Sequence, residues 1–177
     1  MIRHLQSSIP EDHPVRAVFH QLTERGMGEL RLRDKDTIDY VTNLLIHFIH
    51  RENLYRIQDD AGQSLRYVGE ILAQANREMS VELRRECYRH LGDLTLFNLG
   101  LFPESLSYGH QSVSLSFYAA QGRLSYNMVS ELEDEDSVEV FRKLSEQFPQ
   151  CVAGLNWVKL YINDPFYQYV FREFQII

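Results

Sequence analysis

Residues 94–102 read Leu-Thr-Leu-Phe-Asn-Leu-Gly-Leu-Phe, and six of the nine are Leu or Phe. A segment so apolar all round has no face to give to water. It is also too short to span a bilayer, which takes roughly 18 or more apolar residues. The rest of the chain has to cover it. The residues just before it are patterned differently. Ser80 is placed to cap a helix, and Glu82 suits the positive end of its dipole. Leu83, Cys87 and Leu91 then recur on one side while Arg84, Arg85 and Arg89 face outward. Together these signals predict one helix near residues 80–102, amphipathic at first and then enclosed, as the central helix of a bundle. Gly92 and Gly100 each cost a helix about 1 kcal/mol relative to Ala. Close approach of a neighbouring helix or ligand is the usual compensation, and Pro103 ends the run.

Helical spacing continues through most of the chain. Asp12 is a candidate cap with Pro14 in the first turn, followed by Val15, Val18, Phe19 and Leu22, and Gly26 and Gly28 are expected to stop that helix. Residues 29–34 alternate like a short strand, but a lone strand has no partner here, so they read as a linker. Asp36 or Thr37 caps a second stripe of Ile38, Val41, Leu45, Phe48 and Ile49. Residues 51–62 form a polar connection carrying Leu54, Tyr55 and Ile57, with turn signals at Asp59, Asp60 and Gly62. A third helix is expected over residues 64–78. A fifth is expected over 107–121 with Val113, Phe117 and Ala120 inward, ended by Gly122, after which 124–132 resumes the pattern. The acidic run at 131–136 reads as a solvated loop or helix start. Val138, Phe141, Leu144 and Phe148 mark a sixth helix closed by Pro149, and Val152, Leu155, Trp157, Val158 and Ile162 a seventh. After the turn at Asn163, Asp164 and Pro165, the tail opens with Phe166, Tyr167, Tyr169 and Phe171. It is too apolar to hang in water and packs on its own core or on another subunit. The expectation is an all-α, single-domain helical bundle of about seven helices covering residues 1–177.

Size and charge narrow the function. A chain of 177 residues can bury roughly 70% of its unfolded surface without a metal or disulfide. A net charge of −7 argues against nucleic acid as a partner. Arg84, Arg85 and Arg89 form the densest basic group, and Glu82 and Glu86 dilute it. The two cysteines, Cys87 and Cys151, lie in apolar helical patterns without metal spacing, which fits buried thiols in a reducing compartment. Residues 1–11 carry no signal-peptide pattern. These features place the protein in the cytoplasm, with no membrane partner.

No phosphate-binding glycine loop, nucleophile elbow, His-Glu-x-x-His or paired-cysteine zinc motif is present in the sequence. Three weaker constellations remain. Glu86, His90 and Asp93 fall on one helical face at i, i+4 and i+7. Two carboxylates and an imidazole so placed can ligate a metal or orient a general base, or form a hydrogen-bonded seam entering the core. Asp93 leads into the enclosed half-helix and so needs a buried partner such as Arg, Tyr or His. Asp39, Asn43 and His47, with His50 beyond, share another face, read as the exposed side opposite Val41, Leu45 and Phe48. Thr95 and Asn98 put polar groups into the enclosed stretch. Thr95 can bond back to its own helix, whereas Asn98 needs a partner or a ligand. The candidate ligand-binding residues are therefore Glu86, His90, Asp93 and Asn98, with no metal and no cofactor expected.

Residues 90–104, His-Leu-Gly-Asp-Leu-Thr-Leu-Phe-Asn-Leu-Gly-Leu-Phe-Pro-Glu, resemble a segment of a family of uncharacterised bacterial all-helical proteins. The resemblance implies a bacterial, cytoplasmic origin and brings no catalytic residues, since the family has no assigned activity. The function expected first is a non-enzymatic helical interaction module acting through a protein partner or through itself, as a homodimer formed by the C-terminal tail. The alternative is a small-molecule- or metal-binding helical bundle, including an oxidoreductase, with its site near His90 and Asp93.

Overall fold

The computed structural model describes residues 9–10, 12–106, 114–132 and 135–173. Among these residues the structure is all-helical, with eight α-helices packed together: α1 (Pro14–Glu29), α2 (Lys35–Phe48), α3 (Val68–Arg77), α4 (Val81–Leu101), α5 (Leu115–Leu132), α6 (Glu135–Glu146), α7 (Phe148–Ile162) and α8 (Pro165–Glu173). Short 3-10 turns occupy Arg51–Tyr55 and Pro103–Leu106. The described residues contain no strand, only an isolated antiparallel bridge between Gln58 and Ser64. The count exceeds the expected seven because the first part of the tail is itself a helix. The expected helix start at 107–113, with Val113, and the last tail residues, 174–177, lie outside the described residues.

Several helix ends differ from the sequence expectation for local reasons. The N-cap of α1 is His13, not Asp12, and its Nδ1 accepts the Val15 N–H at 3.2 Å. The N-cap of α2 is Asp34, two residues before the expected Asp36; its Oδ2 accepts from the Thr37 N–H at 3.0 Å and the Thr37 hydroxyl at 2.7 Å. Ser80 caps α4 as expected, accepting the Leu83 N–H at 3.3 Å. Gly26 and Gly28 do not stop α1. It ends in a Schellman motif, with Leu32 N–H on Met27 C=O at 3.1 Å and Arg31 N–H on Gly28 C=O at 2.9 Å. Arg31 takes the left-handed position usually given to glycine, at φ 61°. Gly122 likewise lies inside α5, and Pro149 opens α7 instead of closing the helix before it.

The glycines serve packing. A Cβ on Gly92 would stand 2.8 Å from the Tyr126 ring, and one on Gly100 would run into Leu155. On Gly122 it would meet Thr95 Oγ1 at 2.5 Å and the Phe148 ring. These close crossings let α5 and α7 lie directly on α4. From His90 to Leu101 every residue of α4 is buried except the half-buried Asn98. One apolar cluster draws side chains from all eight helices, among them Phe19, Leu44, Ala75, Leu96, Tyr126, Phe141, Leu155 and Phe171. A smaller one, Val68, Ile71, Leu91 and Leu94, lies between α3 and α4. No helix among the described residues is long and apolar enough to cross a membrane.

Both cysteines are buried free thiols. Burial raises the Cys87 thiol pKa and pushes that of Cys151 up to about 12, so neither offers an accessible thiolate at neutral pH. A colourimetric disulfide reagent should therefore label neither in the native protein and both after denaturation. Prompt native labelling would place a thiol at the surface.

Candidate functional site

The face of α4 that carries Glu86, His90 and Asp93 points inward, and each of the three is held by other residues of the chain. The segment 51–67, between α2 and α3, crosses this face. Its Arg56 donates from Nε to His90 Nδ1 at 3.1 Å and from Nη1 to Glu86 Oε2 at 3.3 Å. The Leu54 carbonyl lies 3.2 Å from His90 Nε2. A carbonyl can only accept and Nδ1 is already accepting, so the ring is the neutral tautomer with its proton on Nε2. Burial, and next the Arg56 charge, depress the His90 pKa from 6.5 to about 3. The Phe48 ring packs against the imidazole in a T-shaped arrangement, with ring centroids 6.0 Å apart. Glu86 also takes Arg89 on both carboxylate oxygens, at 2.6 and 2.8 Å.

Asp93 is fully buried one turn deeper. Tyr40 of α2 and Tyr126 of α5 both donate to its Oδ1, at 2.7 and 2.9 Å, so one carboxyl oxygen ties three helices together. Its Oδ2 is buried with no hydrogen-bond partner in the structure. Burial raises the Asp93 pKa, against the opposing pull of Arg89 and the two phenols. Burial, and then the Asp93 charge, push both phenols well above their ordinary value, so they stay protonated donors.

The structure brings Glu86, His90 and Asp93 together as the sequence spacing requires, but not Asn98. Five residues beyond Asp93, Asn98 sits about 140° around the helix, half-buried. Thr95 bonds back to Leu91 and Gly92 C=O at 2.8 and 2.9 Å.

The second constellation is corrected. Asp39, Asn43 and His47 are not a fully exposed face: α1 half-buries Asp39 and Asn43, and Asn53 of the following 3-10 turn lies on the buried His47. Arg16 donates to Asn43 at 3.0 Å, His20 pairs with Asp39 at 3.1 Å, and His47 is 5% exposed. Among the described residues no three His, Cys, Asp or Glu side chains are arranged to hold a metal ion.

The residues missed from sequence are Arg56, Tyr40 and Tyr126. Arg56 lies in a polar connection where periodicity carries no signal. The tyrosines could have been sought as donors, since a buried carboxylate demands them.

No family model matches the chain, and no curated protein or solved structure matches it either.

Proposed function

We propose that the chain is a non-enzymatic helical interaction module, a single domain built around α4, that pairs with a second copy of itself through its last two helices. The observation that carries this reading is that large apolar side chains face water on both of these helices. Trp157 is 41% exposed and Leu160 60% on α7, and Phe166 is 64% and Tyr169 61% exposed on α8. Members of each pair are three residues apart and share a face of their helix. The opposite side of α8 is docked, with Tyr167 and Phe171 buried and Phe171 against Phe19 at 5.5 Å between ring centroids. α8 thus divides its apolar residues between its own core and an outward face, and outward apolar groups of this size mark association surfaces. A twofold dimer is the commonest closed arrangement.

The alternative, a ligand- or metal-binding bundle, draws on the α4 face. Its His90 nitrogens and its Glu86 oxygens are engaged by Arg56, Arg89 and Leu54, so a ligand there would first have to displace Arg56.

Light scattering tests the proposal. The full chain should have the mass of a dimer at micromolar concentration, and Leu160→Glu with Phe166→Glu should give a folded monomer. A full-length protein that stays monomeric across a wide concentration range would refute self-association. Ending the chain at Asp164 is the harsher variant, because it also removes the buried Tyr167 and Phe171.

A further inference from the structure

Residues 51–67 include no buried residue, yet they cover His90, which is fully buried. The segment has little structure of its own: a 3-10 turn, the Gln58–Ser64 bridge with Leu65 N–H on Ile57 C=O at 2.8 Å, and a turn at Gly62. Such an isolated two-stranded turn is marginal in water by itself. It is held down by the half-buried Leu54, Ile57 and Leu65, which pack on Leu91, Leu94, Val68 and Ile71. Asn53 Nδ2 bonds His47 C=O at 2.7 Å, and further anchors are the Arg56–His90–Leu54 clamp and the Arg56–Glu86 ion pair at 3.3 Å. Segments with few buried contacts open at much lower free energy than the core they cover.

We propose that residues 51–67 are an acid-released strap: a proton on His90 Nδ1 removes one of the two acceptors that hold Arg56, sets two cations face to face, and lifts the strap off the apolar Leu91–Leu94 face of α4. The proton goes from solvent to the Nδ1 lone pair, the Arg56 hydrogen bond to it breaks, and no other covalent bond changes.

The charged and titratable groups around the ring favour this outcome. Arg56 from the strap, His47 from α2 and Arg89 on α4 all oppose a proton on His90 in the closed state. Glu86, the nearest carboxylate on the same face, is engaged on both guanidiniums. Asp93, further along α4, is turned to Tyr40 of α2 and Tyr126 of α5. At the end of α3 the charge of Glu78 acts on Cys87.

The sign follows from linkage. The imidazole binds a proton near pH 6.5 when uncovered and only near about 3 when clamped. The closed form therefore holds its full advantage above pH 6.5 and loses it progressively as pH falls toward 3. Between pH 7.5 and 4.5 the opening equilibrium should rise roughly 100-fold.

Hydrogen exchange by mass spectrometry, normalised to intrinsic rates, reads this directly on the whole protein. Strap amides should lose roughly 100-fold protection on going from pH 7.5 to 4.5, while α4–α5 amides keep theirs. His90→Gln offers the same acceptor and donor without titrating, and it should abolish the difference. Unchanged strap protection in the wild type would overturn the proposal, as would an equal loss in His90→Gln. Imidazole NMR shifts of the wild type supply a second criterion that needs no variant. The His90 ring should stay neutral in the closed molecule and take its proton only below pH 6.5, and a ring that gains its proton while the strap stays protected would equally overturn it.

Discussion

Gly26→Ala should lower the stability of the protein by about 3 kcal/mol, and Gly28→Ala should raise it by up to about 1 kcal/mol. The two glycines sit two residues apart in the same helix, so propensity alone would treat them alike. Their surroundings differ. A Cβ on Gly26 would stand 2.6 Å from the Gly154 carbonyl oxygen, 2.8 Å from Val158 Cγ2 and 3.2 Å from the Val158 backbone nitrogen. Backbone atoms cannot rotate aside, so α1 and α7 would have to separate. That would disturb the reciprocal contact as well, in which the Met27 sulfur lies over Gly154. A Cβ on Gly28 meets nothing within 4 Å, leaving only the gain in helix propensity and the smaller entropy of the unfolded chain. Denaturant midpoints of the two variants against wild type decide it. A neutral or stabilising Gly26→Ala would mean that α1 and α7 do not cross this closely.

Asp93→Ala should be the most damaging polar substitution, at about 2–6 kcal/mol, because it strands two buried phenols at about 1–3 kcal/mol each. Asp93→Asn keeps an oxygen for Tyr40 and Tyr126 and should cost clearly less. Thermal melts across pH add a signature. Since burial raises the folded Asp93 pKa above its ordinary 3.8, its contribution is fully present below pH 3.8 and fades as pH rises through the raised value. Asp93→Asn should remove that decline. Unchanged stability in Asp93→Ala with loss of a bound ligand would turn the argument toward the ligand-binding alternative.

What could be read from sequence followed the physics of each signal. The apolar run after Asp93 required cover; residues 94–101 are buried but for the half-buried Asn98, while Phe102 at its end is 48% exposed. The i, i+4, i+7 spacing placed Glu86, His90 and Asp93 on one face because helix geometry allows nothing else. Long-range contacts were another matter. Asp39, Asn43 and His47 looked like a solvent face because their own helix has enough apolar residues opposite. Nothing local announces that Arg16 and His20 arrive from α1. Arg56 was silent for the same reason, lying in a polar connection whose path over α4 is set by packing of Leu54, Ile57 and Leu65. The glycines misled in one direction. Gly26 and Gly122 were read as breaks because intrinsic propensity is a local quantity, whereas each is fixed by a helix distant in sequence.

The pairing of α1 with α7 also bears on how the chain is made. Tyr161 near the end of α7 reaches Glu29 at the end of α1, 132 residues earlier, with its hydroxyl 3.1 Å from the carboxylate. At ribosomal speeds of about 5–20 residues per second, roughly 7 to 26 s separate synthesis of the two. Throughout that interval Val15, Phe19, Leu22 and Met27, all buried in the finished fold, have α2 available as cover but not the helix that completes their packing. The N-terminal helix therefore stays incompletely packed until α7 has been made.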